Sequence, residues 1–133
     1  MKTHLTLALC AAAFAQNASA NERLSTAQLE ALIVDNTLYV TVPAGAPGAP
    51  EGGVAPIFYA KDGFASAQLP AGLKLVGTWK LSDTGYCVDW DNGPKNSCSI
   101  LRRAEDSFLI VDQKTGDPRG QVYSIATGNP ENL

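Results

Sequence analysis

Residues 77–103 read GTWKLSDTGYCVDWDNGPKNSCSILRR. Three strand-like runs lie in or across this stretch, Leu75–Ser82, Tyr86–Trp90 and Cys98–Arg103, parted by Asp83-Thr84-Gly85 and by Asp91-Asn92-Gly93-Pro94. Both separators are turn chemistry. Tyr86, Val88 and Trp90 alternate with Cys87 and Asp89, the period of a strand with one buried face. Pairing Tyr86–Trp90 with Cys98–Arg103 across the second turn sets Cys87 opposite Cys98 and predicts a disulfide that staples one hairpin. With Cys87 facing out, Tyr86, Val88 and Trp90 face in, and Trp79 and Leu81 from the preceding strand join them in an aromatic-rich centre.

Working outward, the same rhythm continues on both sides. Phe108–Asp112 follows Ala104-Glu105-Asp106-Ser107, and Gln121–Ala126 follows Lys114-Thr115-Gly116-Asp117-Pro118. Upstream, Ile57–Ala60 and Phe64–Gln68 flank Lys61-Asp62-Gly63, a hairpin turn built on Asp-Gly. Before that, Leu38, Val40 and Val42 alternate with Thr37, Tyr39 and Thr41. About eight strands at a spacing of roughly ten residues predict a mainly β domain, an antiparallel meander curled into a small barrel or sandwich. Pro43–Pro56, PAGAPGAPEGGVAP, is too rich in Pro and Gly for regular structure and reads as a mobile loop, either a functional flap or a tolerated insertion. One helix precedes the strands. In Ser25–Val34 a capping Ser25 is followed three residues on by Gln28, and Leu29, Leu32 and Ile33 form one apolar stripe. Asp35-Asn36 ends it; either residue can take the left-handed conformation there, with Asn36 the better candidate.

The chain has 133 residues, 45% hydrophobic and 17% charged, with 10 Lys+Arg against 13 Asp+Glu. Its start, MKTHLTLALCAAAFAQNASA, has a positive end, an apolar run of about 11 residues and a small-residue cleavage site, the pattern of a signal peptide over residues 1–20. The run is shorter than the ~18 residues needed to span a bilayer, so no stable membrane anchor is expected. Leu9 before Cys10 is not the small residue that lipid attachment requires. Cleavage leaves residues 21–133 as a single domain in the periplasm or outside the cell. Two cysteines, Cys87 and Cys98, then remain for an oxidising compartment, where a disulfide is the ordinary use of such a pair.

The only histidine, His4, lies in the leader. The mature chain therefore lacks an imidazole base or ligand, which removes Ser-His-Asp and Cys-His mechanisms, and no G-x-S-x-G elbow is present. Two thiols without histidine leave zinc short of ligands, and the spacing is not the C-x-x-C of a redox pair. Asp89-Trp90-Asp91-Asn92-Gly93 starts like a calcium loop, but Gly93 falls fifth and Ile100 twelfth, where such loops need glycine sixth and glutamate twelfth; a hairpin turn is the ordinary reading. No metal or cofactor is expected. Basic residues from Lys61 to Arg119 are scattered among acids, so nucleic acid is not an expected partner. Trp79, Tyr86, Trp90, Tyr59 and Phe58 are either core or the lining of a pocket for an apolar ligand, because a small antiparallel barrel can leave a ligand-sized interior.

N-T-L at 36–38, D-G at 62–63, G-T-W at 77–79, G-Y-C-V-x-W at 85–90, Cys98 and G-N-P at 128–130 together resemble small secreted proteobacterial proteins of unknown function, in which a helix precedes a one-disulfide β-meander. The resemblance covers about residues 24–132. It implies that the motifs are structural, with glycines at turns, tryptophans inside and cysteines paired, and it implies no reaction. G-T-W also resembles the lipocalin G-x-W signature, although here it falls mid-chain instead of on the first strand, so the likeness is one of barrel architecture. Periplasmic lysozyme inhibitors, small one-disulfide barrels, are a further analogy of fold. The expected function is a non-catalytic binding module of unknown ligand, with a small apolar molecule as the first reading. The alternatives are a protein-interaction or inhibitor-like module using the Pro43–Pro56 loop or an edge strand, and a carboxylate enzyme.

Overall fold

The structure, a computed structural model, describes residues 22–133; the signal peptide expected over residues 1–20, its expected cleavage after Ala20, His4 and Cys10 lie outside the described residues. A helix, α1 (Thr26–Ile33), leads into eight strands: β1 (Asn36–Val42), β2 (Gly53–Tyr59), β3 (Phe64–Gln68), β4 (Lys74–Leu81), β5 (Tyr86–Trp90), β6 (Ser97–Ala104), β7 (Ser107–Asp112) and β8 (Pro118–Thr127). Each strand pairs antiparallel with the next, and β1 pairs with β8, Asn36–Thr41 against Gln121–Thr127. That last ladder decides between the two architectures left open by the sequence. The sheet is a closed barrel.

Closure gives every strand an inner face, and the period-two alternation shows which residues fill it. Leu38, Val40, Ala55, Tyr59, Ala65, Ala67, Leu75 and Trp79 alternate inward on β1–β4, and Tyr86, Val88, Trp90, Leu101, Ile110 and Val122 do so on β5–β8. The Cys87–Cys98 disulfide forms across β5 and β6 on the outer face, with Cα atoms 4.0 Å apart at directly opposed positions. It belongs to a compartment outside the reducing cytoplasm. No helix among the described residues is long and apolar enough to cross a membrane.

The two ends of the barrel differ. At the end where β1 begins, α1 lies across the opening with Leu29 and Ile33 fully buried. Its first turn is a capping box: the Gln28 N–H donates to Ser25 Oγ (3.2 Å) and the Ser25 N–H donates to Gln28 Oε1 (2.8 Å). Thr26 reaches the β4–β5 turn at the Asp83 carbonyl, and Asp35 N–H donates to the Tyr59 carbonyl at 2.7 Å, which pins the helix exit to β2. The opposite end carries the β1–β2, β3–β4, β5–β6 and β7–β8 loops and, among the described residues, has no helix over it.

Several details differ from the sequence reading. Asp35, with φ 57°, is the left-handed residue after the helix, not Asn36; Asn36 instead starts β1 and donates its amide to the Leu32 carbonyl at 2.8 Å. The Pro/Gly segment is shorter than Pro43–Pro56. Gly53 to Pro56 belong to β2, and Pro56 lies outside the stretch of β2 paired with β3, so on that side its missing N–H leaves no ladder bond unmade. The remaining connection, residues 43–52, is a folded turn instead of an irregular insertion: Ala49 N–H donates to the Ala46 carbonyl, Gly52 N–H to the Ala49 carbonyl, and the Ala49 side chain is buried. Gly77 of G-T-W is not at a turn but within β4, where a Cβ would lie 2.1 Å from the Asp89 carbonyl oxygen of β5. Arg102-Arg103 carries a short added ladder that the sequence reading does not include, since Leu24 N–H donates to the Leu101 carbonyl and Arg103 N–H to the Glu22 carbonyl.

Candidate binding site at the open end of the barrel

The loops at the open end surround a depression of about 550 Å3 whose wall is mostly apolar: Val42 and Pro43 from β1 and its exit, Leu69, Leu73 and Leu75 around the β3–β4 loop, and Trp90 from β5. The β1–β2 turn closes one side. Ala71 N–H donates to the Gly48 carbonyl at 3.1 Å, tying that turn to the β3–β4 loop. Gly48 is required there, because its φ is +73° and a Cβ would sit 2.2 Å from Leu69 Cδ1. Leu73 remains 48% exposed, so the rim of the depression is apolar as well as its wall.

Below this mouth the barrel is not completely filled. A cavity of about 150 Å3 lies among Val40, Ile57, Tyr59, Tyr86, Val88 and Ile110, with Ser99 also in its lining. Val42, Trp90, Ser97 and Arg119 line both spaces, so the two adjoin at these residues, the neck of the barrel. The mouth is within the size range of small-molecule sites, and an eight-stranded barrel is just wide enough to hold one small ligand.

Polar groups concentrate at that neck. Arg119 donates from Nη1 to Ser97 Oγ (2.7 Å) and Ser99 Oγ (3.0 Å), and from Nη2 to Asp112 Oδ2, so one guanidinium links β6, β7 and β8. Asp112 Oδ1 also accepts the N–H groups of Lys114 (2.8 Å) and Thr115 (3.1 Å) in the turn that follows β7. The Thr115 and Lys114 N–H groups, followed by Arg119, hold the Asp112 carboxyl below the usual carboxylate range against a smaller opposing effect of burial. It is therefore ionised at neutral pH. Deeper in, burial pushes the Tyr59 hydroxyl well above the usual phenol value and the Tyr86 hydroxyl above it too. For Tyr86, hydrogen bonding with Tyr59 and Ser99 and the Arg119 charge partly offset the burial. Both stay neutral hydroxyls.

A bulge places Arg119. On β8, Gly120 pairs with Ile110 and Pro118 pairs with Val111, so Arg119 is the extra residue with no single partner. With Val122 and Gly120 facing in, strict alternation would send Arg119 outward; the bulge turns it inward instead. Gly120 allows this, since a Cβ there would lie 2.7 Å from Val40 Cγ1 and 2.8 Å from the Thr41 carbonyl oxygen.

Of the sequence-predicted lining residues, Tyr59, Tyr86 and Trp90 do border the inner cavity. Trp79 does not border it. Its ring lies edge-on to Tyr59 at 5.4 Å and its indole N–H donates to the Ala60 carbonyl at 2.7 Å, so it is the floor under Tyr59, on the side of the α1 end. Tyr59 meets Tyr86 edge-on at 5.6 Å, and the three rings form one packed group. Phe58, paired with Thr37 and Ser66, is on the outer face and takes no part. Asp89-Trp90-Asp91-Asn92-Gly93 runs from β5 into the β5–β6 turn, with the Asp89 carboxylate accepting the Asn96 N–H and the Asn92 amide donating to the Lys74 carbonyl. Sequence reasoning missed Arg119, Asp112, Ser97 and Ser99. The available signal was Gly120, a glycine inside a strand pattern beside a charged residue, which marks a bulge or a close backbone approach. No protein-family model, curated protein or solved structure matches the chain.

Proposed function

We propose that this domain is a non-catalytic binding module that holds one small, largely apolar molecule at the open end of the barrel, in the periplasm or outside the cell once residues 1–20 are removed. Its resemblance to small secreted proteobacterial proteins is part of the same proposal. The observation that carries it is the apolar-walled mouth lying directly against the inner cavity, with Val42, Trp90, Ser97 and Arg119 lining both. The opposite end is stoppered by Leu29 and Ile33, so a molecule enters from the loop side. The carboxylates of Asp35, Asp62, Asp89 and Asp112 each accept a backbone N–H in a turn, which favours structural employment over acid–base work.

Titration with N-phenyl-1-naphthylamine, a neutral dye that brightens in apolar surroundings, tests this. Saturable one-to-one binding is expected, with energy transfer from Trp90, and Ala46→Trp, which fills the mouth, should weaken it by about tenfold or more. Absence of saturable binding, or binding indifferent to Ala46→Trp, would refute the reading. Native mass spectrometry of protein taken from its own compartment would then show whether a bound protein partner is the better account.

A further inference from the structure

Apolar walls explain why a greasy molecule would enter, but the neck adds a condition on its polar end. Arg119 has five N–H donors, of which three are directed at Ser97, Ser99 and Asp112. Two donors remain without a protein acceptor among the described residues, on a side chain that borders both the mouth and the inner cavity. The guanidinium charge is meanwhile matched by Asp112, whose carboxylate is fixed by two backbone N–H groups as well as by Arg119. An anionic head approaching Arg119 meets Asp112 at close range, and Asp112 cannot swing aside without abandoning the Lys114 and Thr115 N–H groups. A cationic head meets Arg119 itself. In either case a charge enters a partly desolvated neck with a like charge already in place, which is where such mismatches are most costly.

We propose that the Arg119–Asp112 pair makes the neck selective for uncharged amphiphiles, whose apolar body occupies the mouth and whose uncharged acceptor oxygen, a carbonyl or hydroxyl, receives a hydrogen bond from Arg119. This rests on the reading that the mouth binds an apolar molecule. It deepens that reading by assigning the head group. Ser97 and Ser99 hold the guanidinium in place, so they are positioning residues, and the donor that meets the ligand is Arg119. The pair therefore acts as a charge filter as well as a link between β6, β7 and β8.

Displacement of N-phenyl-1-naphthylamine by three ten-carbon compounds that differ only in their heads, decanol, decanoate and decylammonium, tests the filter at pH 7. On the unaltered protein, decanol should displace the dye at about tenfold lower concentration than either charged compound. In Asp112→Asn, which leaves Arg119 uncompensated, decanoate should overtake decanol. In Arg119→Met, decylammonium should overtake decanoate. If the dye binds but decanol and decanoate displace it equally from the unaltered protein, the filter is refuted while the binding reading stands; this arm needs no variant. If the dye does not bind at all, both fall. Circular dichroism of each variant shows that it is folded, and a folded Asp112→Asn that still prefers decanol also overturns the assignment.

Discussion

A single carboxylate shows how one residue ties stability to the site. Asp112 ends β7, pairs with Arg119, and accepts the Lys114 and Thr115 N–H groups, so its folded-state pKa is depressed. A depressed carboxylate contributes stability that is present above the unfolded value of about 3.9 and is lost as pH falls through the lower folded value. The urea midpoint should therefore drop between pH 6 and pH 3 by more in the unaltered protein than in Asp112→Asn, whose amide does not titrate. Equal drops in the two proteins would show that the ion pair is energetically silent. At this scale much was legible. Cys87 and Cys98 were placed opposite each other by their positions in adjacent strands, and Trp90 and Tyr86 were placed inside by parity. Two details at this scale depend on backbone geometry that sequence pattern does not report: of the two candidates, Asp35 and not the favoured Asn36 takes the left-handed position, and Gly77 answers a carbonyl on β5 instead of a turn.

Elements were legible where alternation and turn chemistry agreed, and lost where proline was read only as punctuation. Pro56 and Pro118 both lie within strands, and assigning each to a connection made the β1–β2 loop too long and β8 too short. Arg119 was missed for the same reason, because it stands in the part of β8 that was read as loop or loop edge and is then turned inward by a bulge. The β5–β6 ladder shows what the disulfide does at this scale. It has three paired positions, Tyr86 to Val88 against Ser99 to Ser97, with the cystine at the middle one. Six positions pair across β6 and β7 by comparison, so the covalent link falls on a short seam of the barrel. Replacing Cys87 and Cys98 together by serine should lower unfolding stability by about 3 kcal/mol in the chain-entropy view of a loop of this length. Hydrogen exchange should quicken first at the β5 and β6 amides, beside Trp90 and Ser97. A loss below about 1 kcal/mol, or exchange that quickens uniformly, would mean that side-chain packing closes this seam unaided.

At the scale of the whole molecule, the helix stabilises one end of the barrel and the loops shape the other, so stability and binding should be separable by position. Leu29 is fully buried at the stoppered end, and Leu29→Ala should cost about 2–5 kcal/mol from lost burial and the cavity left behind. It lies across the barrel from the mouth, so affinity for N-phenyl-1-naphthylamine should change by less than about threefold while the protein remains folded. Replacing residues 44–51 by an Asn-Gly turn should do the opposite. Shortening a surface connection costs little chain entropy, and the removed segment contributes one buried side chain, Ala49, against the whole of the Ala46–Gly48 wall. Dye affinity should then fall by about tenfold or more with a stability change of at most about 1.5 kcal/mol. Measured together by urea unfolding and dye titration, the two variants form a crossed pair. If Leu29→Ala weakens binding as much as the loop replacement does, the barrel responds as one cooperative body and its two ends do not have separate roles. If instead the loop replacement leaves binding intact, the ligand sits in the inner cavity alone, and the apolar rim at Leu73 serves some other contact.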